Sequence, residues 1–371
     1  MIKVLELIEG GFLGGGHTHV LSLTRNLDKL DFDPIIAASP IGAFKDEVAK
    51  YSLKFRDIII PKFYKKEGLN ELLRIVDEEN IKFIHAHGGV AAMYAVLAKK
   101  RRPFLKVIHS IHGIHFIHRN FIIRNISHLI EKRQLPYKDK FICVSENDLR
   151  QATELKVIDK NKTIIIKYGI DLNRFRAVDN PELRVKLGFH ENDIIIGNIM
   201  RFDFQKNQRF LIKAFAELSK KYPNLKLLLA GDGRLKTDCE KQVNDLNLKQ
   251  KVIFTGEIKE PQNYYSLFDI FIFPSLWEGL PITIMEGMAS GRCMAVSDLK
   301  ENQEMITDGY NGLIFDVKNV NSLVEKIEIL LADMDLRKKL SENALKESVN
   351  YSVENMTRKI EKLYKEVFKN S

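Results

Sequence analysis

The sequence predicts an α/β protein built as two successive halves, each on a parallel sheet. Three observations carry that prediction. Strand-length apolar runs alternate with helical periodicity from residue 3 to residue 166, the pattern of βα units whose sheet is covered on both faces. The alternation breaks off in a polar, charged run at 177–192 and restarts at Ile194. A length of 371 residues suits two domains, since one usually takes ~100–200 residues.

The first strand is expected at 3–8, ahead of a loop at 9–16 that holds five glycines in eight residues and an amphipathic segment at 18–30. Such a loop can close its backbone on a phosphate or a sugar, or be a plain strand-to-helix turn. G-x-G-x-x-G is not satisfied. The second strand, 34–38, is followed by Ser39 and Pro40 instead of the acid that a dinucleotide-binding fold places there.

Further strands are expected at 57–60, 82–85, 106–110, 140–144 and 162–166, with a helix at 68–79. Ligands of parallel sheets bind beyond the carboxyl ends of the strands, where His85, His87, Ser110, His112 and Ser145 fall. Alternation points His85 and His87 to one side. Two histidines two apart can bind a metal, but no third ligand is identifiable near them, so hydrogen-bonded strand-end residues are expected.

The stretch 115–133 interleaves Phe116, Phe121, Ile122, Ile126, Leu129 and Ile130 with His118, Arg119, Arg124, His128, Lys132 and Arg133, a basic amphipathic helix. The ordinary expectation is an apolar stripe packed on the sheet. The sharper one is a helix resting on anionic lipid headgroups, where apolar burial and basic attraction act together. The formal charge is +9, and between Lys99 and Arg133 nine Lys or Arg stand against one acid, Glu131. A phosphorylated substrate, a membrane surface or nucleic acid would suit such charge. No nucleic-acid-binding motif accompanies it, so no nucleic-acid partner is expected.

Cys143, Cys239 and Cys293 lie far apart and indicate neither a disulfide framework nor a zinc site. The start M-I-K-V-L-E-L-I-E-G reads as a strand instead of a signal peptide, and no run of 18 apolar residues occurs, so a cytosolic protein is expected.

In the second half, strands are expected at 194–199, 225–230, 252–254, 270–273, 293–296 and 312–315. Just after the first comes M-R-F-D-F-Q-K-N. Its Arg201 and Lys206 offer a guanidinium fork and an ammonium, which match the oxygens of a diphosphate, although exposed loop bases are common. The strand at 270–273 stops at Pro274, and a loop with Trp277, Glu278 and Gly279 leads to a helix expected from Pro281 and stopped by Gly291. Free N–H groups at that helix start can hold an anion. Glu278 and Glu286 could face one pocket or be solvated acids, the fate of most glutamates. The D-x-D strings Asp31–Asp33 and Asp333–Asp335 lie in charged stretches away from these residues and read as solvated turns.

The string E-G-L-P-x-x-x-x-E followed by G-M-A-S-G resembles the E-x7-E signature of the GT4-type retaining glycosyltransferases of the GT-B fold. G-G-G-H-T-H-V-L-S-L resembles that family's G-G-x-x-x-H-V loop and helix, and H-S-I-H-G its T-x-H-G position. The segment 167–176 stands at the family's P-N-G-V-D-x-x-x-F crossing between domains, with Tyr168 where Asn is usual. M-R-F-D-F-Q-K-N resembles G-R-x-x-x-x-K-G or K-N, with Met200 for the usual Gly, which would narrow the approach there. A-G-D-G-R at 230–234, F-T-G-E-I at 254–258 and the stretch 304–315 also follow the family. The likeness is continuous across the second half and patchier across the first.

This resemblance implies two Rossmann-like domains facing across a cleft. Residues 1–172, completed by a C-terminal helix at about 352–371, would take the acceptor, and 173–351 the nucleotide-diphospho-sugar donor. It implies that Glu286 bonds the ribose hydroxyls, Arg201 and Lys206 the diphosphate, and Glu278 the sugar hydroxyls, with Gly279 and Leu280 in the same donor loop. His112 would meet the sugar from the first domain, paired with Glu278 as the catalytic residues, and Gly15 and Gly16 would lie beside the reacting centre. The implied reaction moves a sugar from a UDP- or GDP-sugar to a saccharide acceptor, lipid-linked, in cell-surface polysaccharide or lipopolysaccharide biosynthesis. The departing phosphate would help to deprotonate the acceptor. No metal or other cofactor is called for, because two cations and a helix start can carry the leaving charge, and a cytoplasmic protein, peripheral on the inner face of the plasma membrane, is expected. A sugar-nucleotide 2-epimerase or phosphorylase could use the same fold. A non-catalytic nucleotide-sugar-binding partner of a membrane assembly is a further alternative, against which the intact Glu278, Glu286, Arg201 and Lys206 argue.

Overall fold

The computed structural model describes residues 1–12, 14–114, 117, 120–176 and 179–369. The chain divides into two compact units, Met1–Gly169 with Ser352–Ser371, and Ile170–Tyr351. The first holds β1 (Ile2–Ile8), β2 (Phe32–Ala38), β3 (Lys54–Asp57), β4 (Phe83–His87), β5 (Lys106–Ile111), β6 (Lys140–Cys143) and β7 (Thr163–Ile165), all parallel, in the order β3-β2-β1-β4-β5-β6-β7. The second holds β8 (Ile194–Ile199), β9 (Leu225–Ala230), β10 (Val252–Gly256), β11 (Ile270–Phe273), β12 (Cys293–Ser297) and β13 (Leu313–Phe315), also parallel, in the order β10-β9-β8-β11-β12-β13. In each sheet the order reverses beside its first strand, between β1 and β4 and between β8 and β11. A crevice opens at the carboxyl ends of such a pair, where ligands of open α/β sheets sit.

Side chains of a strand alternate between faces, and both faces are apolar here because helices cover both. Leu5 and Leu7 of β1 enter a core with Leu72, Ile75 and Tyr94. Val4 faces the other way, into a core completed by Val353, Met356, Ile360, Leu363, Tyr364 and Val367 of the last helix, Val353–Lys369. At ~1.5–3 kcal/mol for each fully buried large apolar side chain, that helix is a main support of the first sheet, although it follows the whole second unit in sequence. Glu6 shares the face of Val4 and is fully buried there.

Four expectations shift. The third strand lies at Lys54–Asp57 and pairs with Ile35–Ala38 of β2. Ile58, whose N–H donates to the Ala38 carbonyl at 2.9 Å, and Ile60 run on past the strand end into the core, so the apolar run at 57–60 marks burial continuing beyond the paired strand. The first helix begins at Gly15, which makes Gly15 and Gly16 its opening turn instead of loop residues. Pro281 is extended, with ψ 107°, and precedes the helix Ile282–Ala289; Gly291, at φ +60°, ends it.

The fourth concerns the basic helix, which spans Phe121–Gln134; His115, Phe116, His118 and Arg119 of the expected segment lie outside the described residues, as does Ala177 of the expected linker. Its apolar stripe does not pack on the sheet. Phe121 is 68% and Ile122 69% exposed, Ile126, Leu129 and Ile130 are exposed too, and Gln134 is its buried residue. Helical periodicity reveals that an apolar face exists, not what covers it. Two of the nine bases are matched by acids outside the counted stretch, Lys99 by Asp139 and Arg102 by Asp77. Among the described residues no helix is long and apolar enough to cross a membrane. All three cysteines are buried free thiols.

Candidate active site

In the second unit, β8 runs into a loop whose shape is set by close backbone approach. Met200 N–H donates to the Ala230 carbonyl and Phe202 N–H to that of Asp232. A Cβ on Gly231 (φ +132°) would stand 2.2 Å from the Met200 carbonyl oxygen, and one on Gly233 (φ +151°) 2.4 Å from that of Phe202. No other residue type fits either place, which is the physical reason for the A-G-D-G-R string. Met200 is itself buried. Arg201 on this loop is largely exposed, 3.6 Å from Asp203, which also accepts from Arg234 at 2.7 Å. Burial alone would raise the Asp203 carboxyl, but the Arg234 hydrogen bond, the Phe204 N–H and the charge of both arginines hold it below the usual range.

Lys206 ends a short turn, Phe204–Lys206, and left-handed Asn207 (φ 55°) turns the chain into the helix Gln208–Lys221. Its ammonium lies 2.5 Å from Glu278 Oε1, with the two side chains 19% and 9% exposed. Gln205 donates its amide to the Trp277 carbonyl at 2.7 Å. Leu276 N–H donates to the Gln205 carbonyl at 2.8 Å, and the Phe204 and Trp277 rings are 5.9 Å apart. The loops after β8 and β11 are therefore joined where the sheet order reverses. Gly279 is half-buried and Leu280 buried in the second of them.

Glu286 keeps different company. The Tyr265 hydroxyl is 2.9 Å from its carboxylate and 3.1 Å from the Thr283 carbonyl. Burial pushes the Glu286 carboxyl up to about 7, against the opposing Tyr265 hydrogen bond and the charge of Arg174. Arg201, Lys206, Glu278 and Glu286 thus stand in one unit, Lys206 paired with Glu278 and Glu286 with Tyr265.

The first unit carries a polar cluster at its own reversal point. Glu6 on β1 accepts from His87 Nε2 at 2.7 Å and from the Tyr364 hydroxyl at 2.8 Å, with His85 Nδ1 at 3.1 Å. His85 also reaches Tyr364 through Nδ1 and Ser110 Oγ through Nε2, at 2.5 and 2.7 Å. His87 Nδ1 lies 3.0 Å from His112 Nε2, and His112 Nδ1 lies 2.5 Å from the Tyr168 hydroxyl. Burial alone would raise the Glu6 carboxyl, but His85 and His87 outweigh it and hold it well below the carboxylate range. Burial, followed by the charge of His85, pushes His87 down to about 4. Burial, followed by the charge of His87, puts His19 and His112 well below the usual imidazole value.

His85 and His87 are hydrogen-bonded strand-end residues, as alternation suggests. The fold also brings them third partners that chain spacing cannot show. One ligand atom each of His19, His87 and His112 lies within 4.8 Å of the others, and the same holds for Glu6, His85 and His87. His112 sits just past β5 and is half-buried, with both ring nitrogens engaged. Gly16 makes only ordinary contact, its Cβ position being 3.5 Å from Ile8 Cδ1. Glu6, His19, Tyr168, Tyr265 and Tyr364 escape sequence reasoning because their partners are distant in the chain. A buried-strand pattern interrupted by one acid at Glu6 was the available signal.

The family described as Glycosyl transferases group 1 matches residues 179–347, and the one described as Glycosyltransferase Family 4 matches residues 13–174. The chain is 29% identical over 289 residues to the putative glycosyltransferase EpsD of Bacillus subtilis, covering 76% of each chain. It is 26% identical over 365 residues, 91% of this chain and 95% of the relative, to the N,N'-diacetylbacillosaminyl-diphospho-undecaprenol alpha-1,3-N-acetylgalactosaminyltransferase of Campylobacter jejuni. The crystal structure of Anabaena HepE in complex with UDP and glucose has the same fold, with a TM-score of 0.87 over 98% of this chain and all of that one at 18% identity.

Proposed function

Because the chain belongs to the GT4-type glycosyltransferases of the GT-B fold, we propose that it transfers a sugar from a UDP-sugar to a lipid-linked saccharide acceptor with retained anomeric configuration. The product would serve cell-surface polysaccharide or lipopolysaccharide biosynthesis. A UDP donor is supported by the UDP in the HepE complex, and a lipid-linked acceptor by the undecaprenol substrate in the Campylobacter relative's name.

The observation that carries this reading is the Lys206–Glu278 pair at the reversal point of the second sheet. A diphosphate entering there takes the Lys206 ammonium and the Arg201 guanidinium, and the start of the helix Ile282–Ala289 adds partial positive charge. Glu278, released from Lys206, then accepts from the sugar hydroxyls beside Gly279 and Leu280, and Glu286 accepts from the ribose hydroxyls. The bond from the sugar C1 to the phosphate oxygen breaks while the acceptor oxygen bonds on the same face. The departing phosphate oxygen takes the acceptor proton. Glu278 is not a nucleophile in this scheme, and no metal neutralises the diphosphate. The first unit serves the acceptor, with Gly15 and Gly16 opening its first helix and His112 meeting the sugar.

The helix Phe121–Gln134 fits a place on the inner face of the membrane. Its exposed Phe121, Ile122, Ile126 and Leu129 stand with the exposed Arg124, Lys132 and Arg133, the composition that anionic lipid favours.

The test offers UDP- and GDP-sugars with and without an undecaprenyl-diphosphate-linked saccharide. Acceptor-dependent release of UDP, with a product of unchanged anomeric configuration by NMR coupling constants, is expected. An inverted product removes the retaining mechanism, and no release from any donor removes the function.

A further inference from the structure

Hydrogen atoms in the cluster of the first unit can be assigned by elimination. An ionised carboxylate only accepts, so His87 donates from Nε2 to Glu6. A neutral imidazole carries one proton, which leaves His87 Nδ1 bare; the group 3.0 Å away, His112 Nε2, must donate to it. His112 Nδ1 is then bare in turn and accepts from the Tyr168 hydroxyl at 2.5 Å.

We propose that Glu6, His87 and Tyr168 form a one-way hydrogen-bond chain that holds His112 as the neutral Nε2–H tautomer, and that these three are positioning residues for sugar transfer. Every proton in the chain points toward Glu6. The chain accounts for a carboxylate at 0% exposure, where an acid without such partners would be costly. It also gives Tyr168, which stands where the family has Asn, a specific task. Both ring nitrogens of His112 are thereby engaged, so a sugar hydroxyl that bonds Nδ1 must donate to it and take the place of the Tyr168 hydroxyl. The link to transfer rests on the proposed placing of His112 at the donor sugar; the tautomers do not.

Histidine tautomers are read directly from two-bond ¹H–¹⁵N correlation spectra of the ¹⁵N-labelled full chain at pH 7, assigned with His87→Gln and His112→Gln. Both rings are expected as neutral Nε2–H forms. Tyr168→Phe should leave them so, because the direction is set at Glu6, whereas Glu6→Gln, able to donate from its amide, should change the His87 pattern. In kinetics, Glu6→Gln and Tyr168→Phe should each lower kcat about tenfold or more with UDP affinity unchanged. An Nδ1–H or charged His112 in the wild-type spectrum overturns the chain. So does one equivalent of zinc retained by the purified protein, since the ion would take His87 Nδ1 and His112 Nε2. Should no sugar be transferred at all, the functional reading falls while the spectra still decide the chain. Should the spectra hold and both variants keep wild-type kcat, the positioning role falls alone.

Discussion

The two sheets place polar groups at the same topological point and use them in opposite ways. At the reversal between β1 and β4 the groups are buried or half-buried and bonded to one another, with the imidazoles of His87 and His112 held neutral by burial. At the reversal between β8 and β11 Lys206 and Glu278 are charged, carried on loops and matched in a pair that a ligand can exchange. A buried network fixes orientation because each member satisfies the next. The loop-borne Lys206–Glu278 pair, 19% and 9% exposed, can change partners when the incoming ligand compensates both charges. The same address in a sheet thus serves rigidity in one unit and exchange in the other.

The comparison breaks most visibly at Glu6. Glu6→Ala strips the acceptor from His87, His85 and Tyr364 together, and losing one partner of a buried charged set costs about 3–5 kcal/mol. Urea unfolding of the first unit should shift by that amount, and a shift under 1 kcal/mol would mean that the cluster is not the rigid element described. Next comes the exposed basic helix. Arg124, Lys132 and Arg133 changed together to Glu should weaken sedimentation with anionic vesicles by about 3 kcal/mol, at roughly 1 kcal/mol per base. Wild-type protein that stays in the supernatant at low salt would end the membrane reading.

The exchangeable pair is tested at smaller scale. Lys206→Ala should weaken UDP binding in calorimetry by ~1.5–3 kcal/mol, roughly ten- to a hundredfold; Arg201→Ala should act likewise. Equal affinity in both would return these residues to the role of loop bases.

Glu286 sharpens the contrast through pH. Its folded carboxyl is raised from 4.5 to about 7, so the folded state binds the proton more tightly than the unfolded chain does. The stability it contributes is full below about 4.5 and is lost as pH rises through 7. Relative to wild type, Glu286→Gln should therefore gain about 1–2 kcal/mol between pH 5 and pH 8, a figure reduced for its partial exposure. A wild-type-minus-variant Tm difference that does not change with pH would contradict the raised carboxyl. The smallest effect is expected from chelation: excess EDTA should leave turnover intact, and a metal-reversible loss would replace the proposal that two cations and a helix start neutralise the diphosphate.

Legibility in the sequence follows the range of the forces involved. The strands Ile194–Ile199, Leu225–Ala230 and Ile270–Phe273 coincide with the expected ranges because each is a short, mostly apolar run, the last two closed by Gly231 and Pro274. Arg201, Lys206, Glu278 and Glu286 were visible because their loops are local strings, read through a family pattern. Glu6, His87, His112, Tyr168 and Tyr364 were not visible as a group. They come from five separate stretches, and only the folded sheet brings them within bonding distance. The Phe121–Gln134 helix shows the complementary limit, since its periodicity was plain while the covering of its apolar face was not.

The Tyr364 hydroxyl bonds to Glu6 from 358 positions further along the chain. During synthesis, the first sheet therefore leaves the ribosome with one apolar face covered only in part, by Leu23 and Leu27, and its central carboxylate short of a donor until the last helix follows. At 5–20 residues per second, making the intervening second unit takes on the order of 10–40 s. Nascent chains halted near residue 350 should thus be open to protease in their first half while the second unit is already resistant, and loss of the final helix should be felt first at the opposite end of the polypeptide.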